Sequence, residues 1–518
     1  MALTIAHRRT LNGELEQWVQ LHPDKPWLIF QPVEGAPLTL TYARFAEQVE
    51  QTANALLGMG IRRGDKLLLI LGNCSEFLLL WFGAARIGTV IVPVNPLSSD
   101  AELDYLASHS EAVLVAVHAS DVARGERLSL RHVLVCGGPD EEGRSFAQLL
   151  ARASSGAPPS GPGERSEDDV AILYTSGTTS RPKGCLITHA NYLHAGEAVA
   201  QHAGIGPDDR NLVVLPYFHG NAQYYSTMSA LVTGATLVVT DRFSASRFWD
   251  IAVQHRATIA SLFAAPMRML LAQPERALPE PRPRLAFFAQ SLTPAQLEEW
   301  QRRFGVPLLQ IYGMTEQLGW PLANPLHGQR DNMSIGRPTL PFRCRVVDEA
   351  GGEVSPGTAG ELLVHGFSGV SLMRGYYKNP EATAEAIRDG WLWTGDNVRE
   401  RPDGLFEFVD RAKDMIKRAG ENVAAGEVEA VLKEHPVVFD AAVIGVPDPM
   451  RDEAIKAYVV LREGSTATAE ELIGWCAERL ATFRVPEFVE FRRDLPRTSV
   501  GKIQKHLLRA EHGQATPG

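Results

Sequence analysis

Cysteine is sparse and unpatterned in this chain. Cys74, Cys136, Cys185, Cys344 and Cys476 are scattered and odd in number, without a Cys-x-x-Cys pair or a nearby His at metal-ligand spacing. That excludes a disulfide framework and a cysteine-built zinc module, and it fits a reducing cytoplasm. Clean apolar runs of membrane length are also missing. The longest candidate, residues 77–94, is interrupted by Gly83, Arg86, Gly88 and Pro93, so it reads as a buried helix followed by a strand. Residues 1–20 have no apolar core followed by a small-residue cleavage site, so no secretory leader is expected. Nor is there any excess of positive charge. A formal net charge of −10 gives no overall attraction to nucleic acid or to an anionic membrane, so any polyanion site must be local. No internal repeat is visible.

What is present is the composition of an ordinary globular protein, 45% hydrophobic and 22% charged over 518 residues. That length exceeds the usual single domain of about 100–200 residues, so a large composite domain with a smaller companion is expected. Apolar residues recur at helical spacing from Tyr42 to Leu57 and are followed by Gly58 and Gly60. A strand over 66–71, a helix over 75–87, a β-branched strand over 90–94 and a helix over 99–108 follow. Further strands are predicted at 170–174, 212–215, 236–239, 259–262, 285–288 and 308–311, separated by helices. This alternation predicts α/β layers with largely parallel sheets. Residues 151–169 are rich in Pro, Gly and Ser and read as an exposed connection. Near Asp410 a charged segment opens an α+β pattern, which places a domain boundary at 409–414.

The most polar small-residue cluster follows the predicted strand at 170–174. It runs Thr175, Ser176, Gly177, Thr178, Thr179, Ser180, Arg181, Pro182, Lys183, Gly184. Hydroxyls, cations and glycines on one loop suit an oligophosphate. It is not a Walker A loop, because no Gly-Lys pair followed by Ser or Thr is present. Tyr312, Gly313, Met314, Thr315 and Glu316 supply an aromatic face, a tight glycine, a hydroxyl and a carboxylate; Tyr312 suits adenine stacking and Glu316 suits Mg²⁺. Asp396, just after a turn, suits a ribose. Arg411 is a candidate cation for the same ribose or a phosphate, and Lys502 is a lone cation in a glycine-containing segment near residue 500. Each has a plain structural reading when taken alone: a solvated turn, a core aromatic, a surface carboxylate or a turn residue.

Taken together these segments resemble the adenylate-forming superfamily of acyl-CoA synthetases, luciferases and peptide-synthetase adenylation domains. The likeness covers nearly the whole chain, through residues 40–56, 92–103, 175–184, 216–219, 312–316, 391–396, 410–423 and 496–503 in order. It is strongest to the crotonobetaine/carnitine-CoA ligases, in Ser180-Arg181, in residues 451–457 and in 483–486. The resemblance implies a large N-terminal domain, residues 1–409, of layered α/β subdomains plus a small β-barrel. A hinge at 410–413, centred on Lys413, and a small mobile α+β domain, 414–518, would follow.

It further implies an acyl-CoA ligase using ATP, Mg²⁺ and coenzyme A, with Thr175, Glu316, His219 and Lys502 in catalysis. Thr175 and Glu316 would approach the metal. The nucleotide would be held by Thr175, Ser176, Gly177, Thr178, Thr179 and Lys183, by Ala289, Gln290 and Ser291, by Gln310 through Glu316, and by Asp396, Val409, Arg411 and Lys502. Gln310 and Ile311 thus join Tyr312, Gly313, Met314 and Thr315. The acyl pocket would involve His219, Gly220, Asn221, Gln223, Phe288, Met314 and Trp320. Ala419, Gly420 and Glu421 would line a pantetheine tunnel, with Arg418, Lys417 and Arg451 as candidates for the CoA phosphate.

His219 stands where amino-acid-activating relatives place an Asp, and no carrier domain is seen downstream, which weighs against an α-amino acid. Asn221 stands where a carnitine-binding pattern has an acidic residue, so a bulkier neutral acid is also expected to fit. Partners are small molecules, with a monomer or homodimer expected. The alternatives are an enzyme that only transfers an acyl group from a preformed adenylate, and a silent nucleotide-binding protein.

Overall fold

The computed structural model describes residues 9–140, 142–158, 163–175, 182–289, 292–411, 414–418, 421–448, 452–497 and 503–515. Its helices form where the sequence pattern places them. The helix Tyr42–Gly58 starts at Thr41, whose side chain accepts from the Arg44 N–H, and it buries Phe45, Val49, Ala53 and Leu56. Asp100–Ser110 opens with a reciprocal Ser99 and Glu102 capping box, and His189–Ala203 with a similar pair, Thr188 and Asn191. Each such cap contributes about 1 kcal/mol by satisfying N–H groups that the first turn leaves unpaired.

Among the described residues the strands build four sheets. The largest runs, in spatial order, Arg337–Pro338, Leu322–Ala323, Leu308–Tyr312, Leu285–Ala289, Ile259–Phe263, Arg210–Val213, Thr236–Val239, Pro26–Phe30, Leu38–Thr41. Next to it stands Gly375–Tyr376, Lys183–Thr188, Asp169–Thr175, Val90–Pro93, Lys66–Ile70, Ala112–His118, His132–Cys136. The centres of both are parallel; antiparallel pairing is confined to Leu38–Thr41 and to Leu322–Ala323 with Arg337–Pro338 in the first, and to Lys183–Thr188 with its neighbours Asp169–Thr175 and Gly375–Tyr376 in the second. Parallel pairing thus prevails in both sheets, as the alternation predicts; beside Thr175 the chain returns as Lys183–Thr188, and strands joined by so short a connection pair antiparallel.

The main core lies between these sheets, with Leu67, Leu69 and Ile91 from one and Leu237, Phe287 and Leu309 from the other. A second core fills the opposite face of the larger sheet, where Leu262, Ala286 and Phe288 meet Trp249, Trp300 and Phe304. A third, antiparallel sheet holds Arg343–Val347, Ala359–His365, Trp391–Glu400 and Ile387–Arg388, with Phe406–Arg411 on its side. Phe406–Arg411 pairs with Trp391–Glu400 as far as Arg411. The last sheet begins at Met415–Arg418 and carries its own core of Ile416, Val443, Ile455 and Leu472. No helix among the described residues is long and apolar enough to cross a membrane.

Candidate active site

Three strands end on residues singled out by sequence: Asp169–Thr175 on Thr175, Leu285–Ala289 on Ala289 and Leu308–Tyr312 on Tyr312. Ligands of open α/β sheets bind at such carboxyl ends. Ser176, Gly177, Thr178, Thr179, Gln290 and Ser291 follow two of these strands in the sequence but lie outside the described residues, as do Lys413, Ala419, Gly420, Arg451 and Lys502. Arg411, Lys417 and Glu421 are described in their backbones alone.

Antiparallel pairing sets Thr175 opposite Lys183. The Thr175 hydroxyl lies 3.5 Å from Glu316 Oε1, across a sequence separation of 141 residues. Glu316 sits in the short turn Thr315–Gln317 directly after the strand that ends at Tyr312, and it is only 5% exposed. Its Oε1 also accepts from the Tyr376 hydroxyl at 3.0 Å. The buried Cys185 thiol lies against the same carboxylate; burial first, and then the Glu316 charge, push that thiol well above its ordinary value. Tyr312 donates from its hydroxyl to Asp396 Oδ2 at 2.7 Å, joining the adenine and ribose candidates. Asp396 pairs in register with Arg411, and a register shift between Asn397 and Val398 leaves Val409 as the extra residue of a bulge.

Gly313 has a steric reason to be glycine. A Cβ there would come within 2.2 Å of the Tyr225 hydroxyl and 2.9 Å of the Gly319 carbonyl. Gly313→Ala is therefore expected to destabilise the protein by about 1–3 kcal/mol, as overpacking does, and to weaken nucleotide binding. Thermal unfolding with and without ATP measures both. On either side of it, Ile311 faces the main core and Met314 is extended. The Thr315 carbonyl lies 3.5 Å from the Tyr224 hydroxyl. The Gln310 N–H donates to Asn332 at 2.9 Å, while its side-chain oxygen is buried without a partner among the described residues.

The expected acyl pocket is brought together in part. His219 stands edge-on to Phe263 at 5.4 Å between ring centres, and its Nδ1 accepts from the Asn221 N–H at 3.2 Å. Phe263 and Phe288 share one core. Asn221 accepts from the Ser261 hydroxyl at 2.7 Å, while its Nδ2 is buried without a partner among the described residues. Gly220 lies under the Tyr224 ring, which would be 2.8 Å from an added Cβ. Two expectations are corrected. Trp320 packs on Phe287 and Tyr225, on the opposite face of Leu285–Ala289 from Phe288, because successive strand residues alternate. Gln223 is fully buried, with its oxygen accepting from Tyr192 and its nitrogen donating to the Tyr217 carbonyl, so it supports the pocket's frame.

Arg418 is corrected likewise. Its guanidinium pairs with Glu487 and donates to the carbonyls of Phe483 and Val485 at 2.9 and 3.1 Å. It fastens that segment inside the small domain instead of reaching out to a CoA phosphate. The flanks of Lys502 are well held. Arg497 bridges to Ile503, Gln504 N–H donates to the Pro496 carbonyl at 2.7 Å, and Arg497 pairs with Asp440. Burial opposes the Asp440 charge, but Lys433, Arg497 and Arg268 outweigh it and hold the carboxyl at about 2. Arg268 belongs to the helix Ala264–Leu271 of the larger part, so its field reaches across to the base of the Lys502 loop.

Sequence reasoning missed Tyr376, Cys185 and the π-helix Ala222–Thr227 that carries Tyr224 and Tyr225. The site's chemistry suits a metal held with phosphates. One buried carboxylate and one hydroxyl are the hard oxygen donors that Mg²⁺ prefers, completed by nucleotide oxygens and water. Among the described residues no group of three or more His, Cys, Asp or Glu forms a cage of its own.

Comparison with known proteins agrees with this geometry. The model of the AMP-binding enzyme family matches residues 15–377, and that of the AMP-binding enzyme C-terminal domain matches 427–502. A crotonobetaine/carnitine–CoA ligase of Salmonella heidelberg (strain SL476) is 38% identical over 502 residues, covering 94% of this chain and 96% of that protein. The anthranilate CoA ligase AuaEII in complex with anthranoyl-AMP superposes with a TM-score of 0.89 at 26% identity, covering 98% of each chain. ATP-bound MatB from Rhodopseudomonas palustris gives 0.85 at 27% identity, covering 98% of this chain and 100% of that one. The chain belongs to the AMP-binding enzymes and, within them, to the acyl-CoA ligases.

Proposed function

We propose that the ligase works by forming an acyl-adenylate. A carboxylate oxygen of the acid attacks the α-phosphorus of ATP, the bond to the β-phosphate bridging oxygen breaks, and pyrophosphate leaves. The CoA sulfur then attacks the acyl carbon and AMP leaves. The observation that carries this reading is the Glu316 carboxylate held against Thr175, beside the Tyr312 and Asp396 pair, where Asp169–Thr175 of one sheet and Leu308–Tyr312 of another end. The chemistry asks only for positioning and charge stabilisation, so no activated Ser or Cys nucleophile is needed.

In this reading Thr175, Ser176, Gly177, Thr178, Thr179 and Lys183 hold the phosphates, and Thr175 and Glu316 hold Mg²⁺. When bound, the ion draws charge from the phosphate oxygens and eases departure of pyrophosphate. Tyr312, with Ala289, Gln290 and Ser291, flanks the adenine, while Asp396 and Arg411 hold the ribose. Lys502 bridges the incoming carboxylate and the α-phosphate, where its charge offsets that of both reactants. The same lysine obstructs a thiol, so the small domain turns about Lys413 and presents Ala419, Gly420 and Glu421 to the pantetheine.

The acid we infer is neutral apart from its carboxylate. His219, Gly220, Asn221, Phe288 and Met314 include no acidic side chain, and a quaternary ammonium calls for a carboxylate or an aromatic cage. The 38% identity to a crotonobetaine/carnitine–CoA ligase favours a second reading, a trimethylammonium acid. ATP–pyrophosphate exchange without CoA, over a panel of aryl, medium-chain, polycyclic and betaine acids, separates them. Exchange with a neutral acid at a kcat/KM about tenfold or more above carnitine, that is ~1.4 kcal/mol, supports the first. The reverse order supports the second. Exchange with no acid, together with thioester formation from synthetic acyl-adenylates, would identify a transfer-only enzyme.

A further inference from the structure

Lys183 opens a strand of one large sheet and Glu316 follows a strand of the other, and both meet the Tyr376 side chain, yet the Lys183 ammonium makes no ion pair among the described residues. Tyr376 stands between them. Lys183 Nζ lies over the Tyr376 ring, 5.0 Å from its centre, and the hydroxyl of that ring donates to Glu316 Oε1 at 3.0 Å. An unscreened pair in such a partly buried place would otherwise close on itself, since attraction grows as water is excluded.

We propose that Tyr376 is a positioning residue that keeps the phosphate-binding lysine and the metal-binding carboxylate apart and correctly turned before nucleotide arrives. The inference rests on the reading of Glu316 as the Mg²⁺ carboxylate. Each end of the tyrosine has its own task. The hydroxyl fixes Oε1, and fixing one oxygen sets the rotation of the carboxylate, so Oε2 has a defined direction. No hydroxyl or backbone donor engages Oε2 among the described residues. The ring offers its negative face to Lys183, which keeps the ammonium from the carboxylate while leaving it available to a stronger anion such as a phosphate.

The tyrosine is itself firmly held. It belongs to the two-residue strand Gly375–Tyr376, in register with Leu186 and Cys185 of the strand that Lys183 opens. Its N–H donates to the Thr383 hydroxyl at 2.8 Å, and that hydroxyl donates to the Asn379 carbonyl at 2.8 Å.

The test uses the full-length enzyme with Tyr376→Phe, Tyr376→Leu and Glu316→Gln. Mn²⁺ serves as the probe, its binding in the presence of a non-hydrolysable ATP analogue read by electron paramagnetic resonance, with no turnover needed. Tyr376→Phe removes only the hydroxyl and is expected to weaken Mn²⁺ binding about tenfold, as loss of a partner that orients a metal ligand does, and to raise the half-saturating Mg²⁺ in pyrophosphate exchange equally. Its affinity for metal-free analogue stays within about twofold, because the ring under Lys183 remains. Tyr376→Leu removes the ring as well and is expected to weaken metal-free analogue binding about tenfold, as Lys183 closes on Glu316. Combining Tyr376→Leu with Glu316→Gln abolishes that closure and restores metal-free binding.

If Glu316→Gln weakens Mn²⁺ binding while Tyr376→Phe leaves it unchanged, the positioning role is overturned and the metal reading stands. If Glu316→Gln itself leaves Mn²⁺ binding unchanged, the metal reading falls and this inference with it. A drop in thermal stability with unchanged Mn²⁺ and analogue affinities for both tyrosine variants would show a merely structural residue and overturn the proposal.

Discussion

Lys502→Ala is expected to lower ATP–pyrophosphate exchange by about 10²–10³-fold, or ~3–4 kcal/mol in the barrier, the cost of removing one charge-stabilising donor from a preorganised site. The same variant is expected to make thioester from a preformed acyl-adenylate and CoA within about threefold of the parent, because the second step no longer needs that charge. The contrast arises from position. Lys502 follows Arg497, which the buried Asp440 holds, and the hairpin stem of Arg497 and Ile503 fixes both ends of the loop. In the reading proposed above, Lys502 acts only while the small domain is docked with this face inward. Equal loss in both half reactions would mean that Lys502 serves the fold or both steps, and would remove the domain-turn account.

Glu316→Gln is expected to cost about a hundredfold or more in exchange, with little change in thermal stability. The substituted amide keeps the shape, and its carbonyl oxygen still accepts from the Tyr376 hydroxyl that lies 3.0 Å from Oε1 in the parent. What it loses is the negative charge that, in the reading proposed above, meets a divalent cation. The loss is therefore expected in apparent Mg²⁺ affinity and in kcat, and Mn²⁺, which is bound more tightly by such ligands, is expected to restore part of the rate. A variant with unchanged Mg²⁺ dependence would reassign Glu316 to the frame of the turn Thr315–Gln317.

Much of this was readable in the sequence because the signals were local. The spacing of Phe45, Val49, Ala53 and Leu56 predicted the helix that the structure gives as Tyr42–Gly58. The β-branched run at 90–94 predicted Val90–Pro93. Chain order and residue type singled out Thr175, Tyr312, Glu316 and Asp396, and the fold brings Thr175 to Glu316 and Tyr312 to Asp396. What escaped was decided at a distance. Tyr376 reaches Glu316 only because two residues of strand pair with Leu186 and Cys185, and no periodicity marks so short a strand. The π-helix Ala222–Thr227 is buried on all sides, so it shows no amphipathic stripe. Gln223 looked available beside His219, but Tyr192 and Tyr217 take both ends of its amide. Phe288 and Trp320 looked like one wall until strand alternation set Trp320 against Phe287 on the other face.

The central claim is that the acid's own oxygen joins the α-phosphate. Its most direct test supplies the best acid of the panel with both carboxylate oxygens labelled as ¹⁸O, together with ATP, Mg²⁺ and CoA, and analyses the released nucleotide by mass spectrometry. The account predicts AMP carrying one labelled oxygen for each thioester formed, and unlabelled pyrophosphate. Label in inorganic phosphate with release of ADP would show attack at the γ-phosphate through an acyl phosphate, and would contradict it.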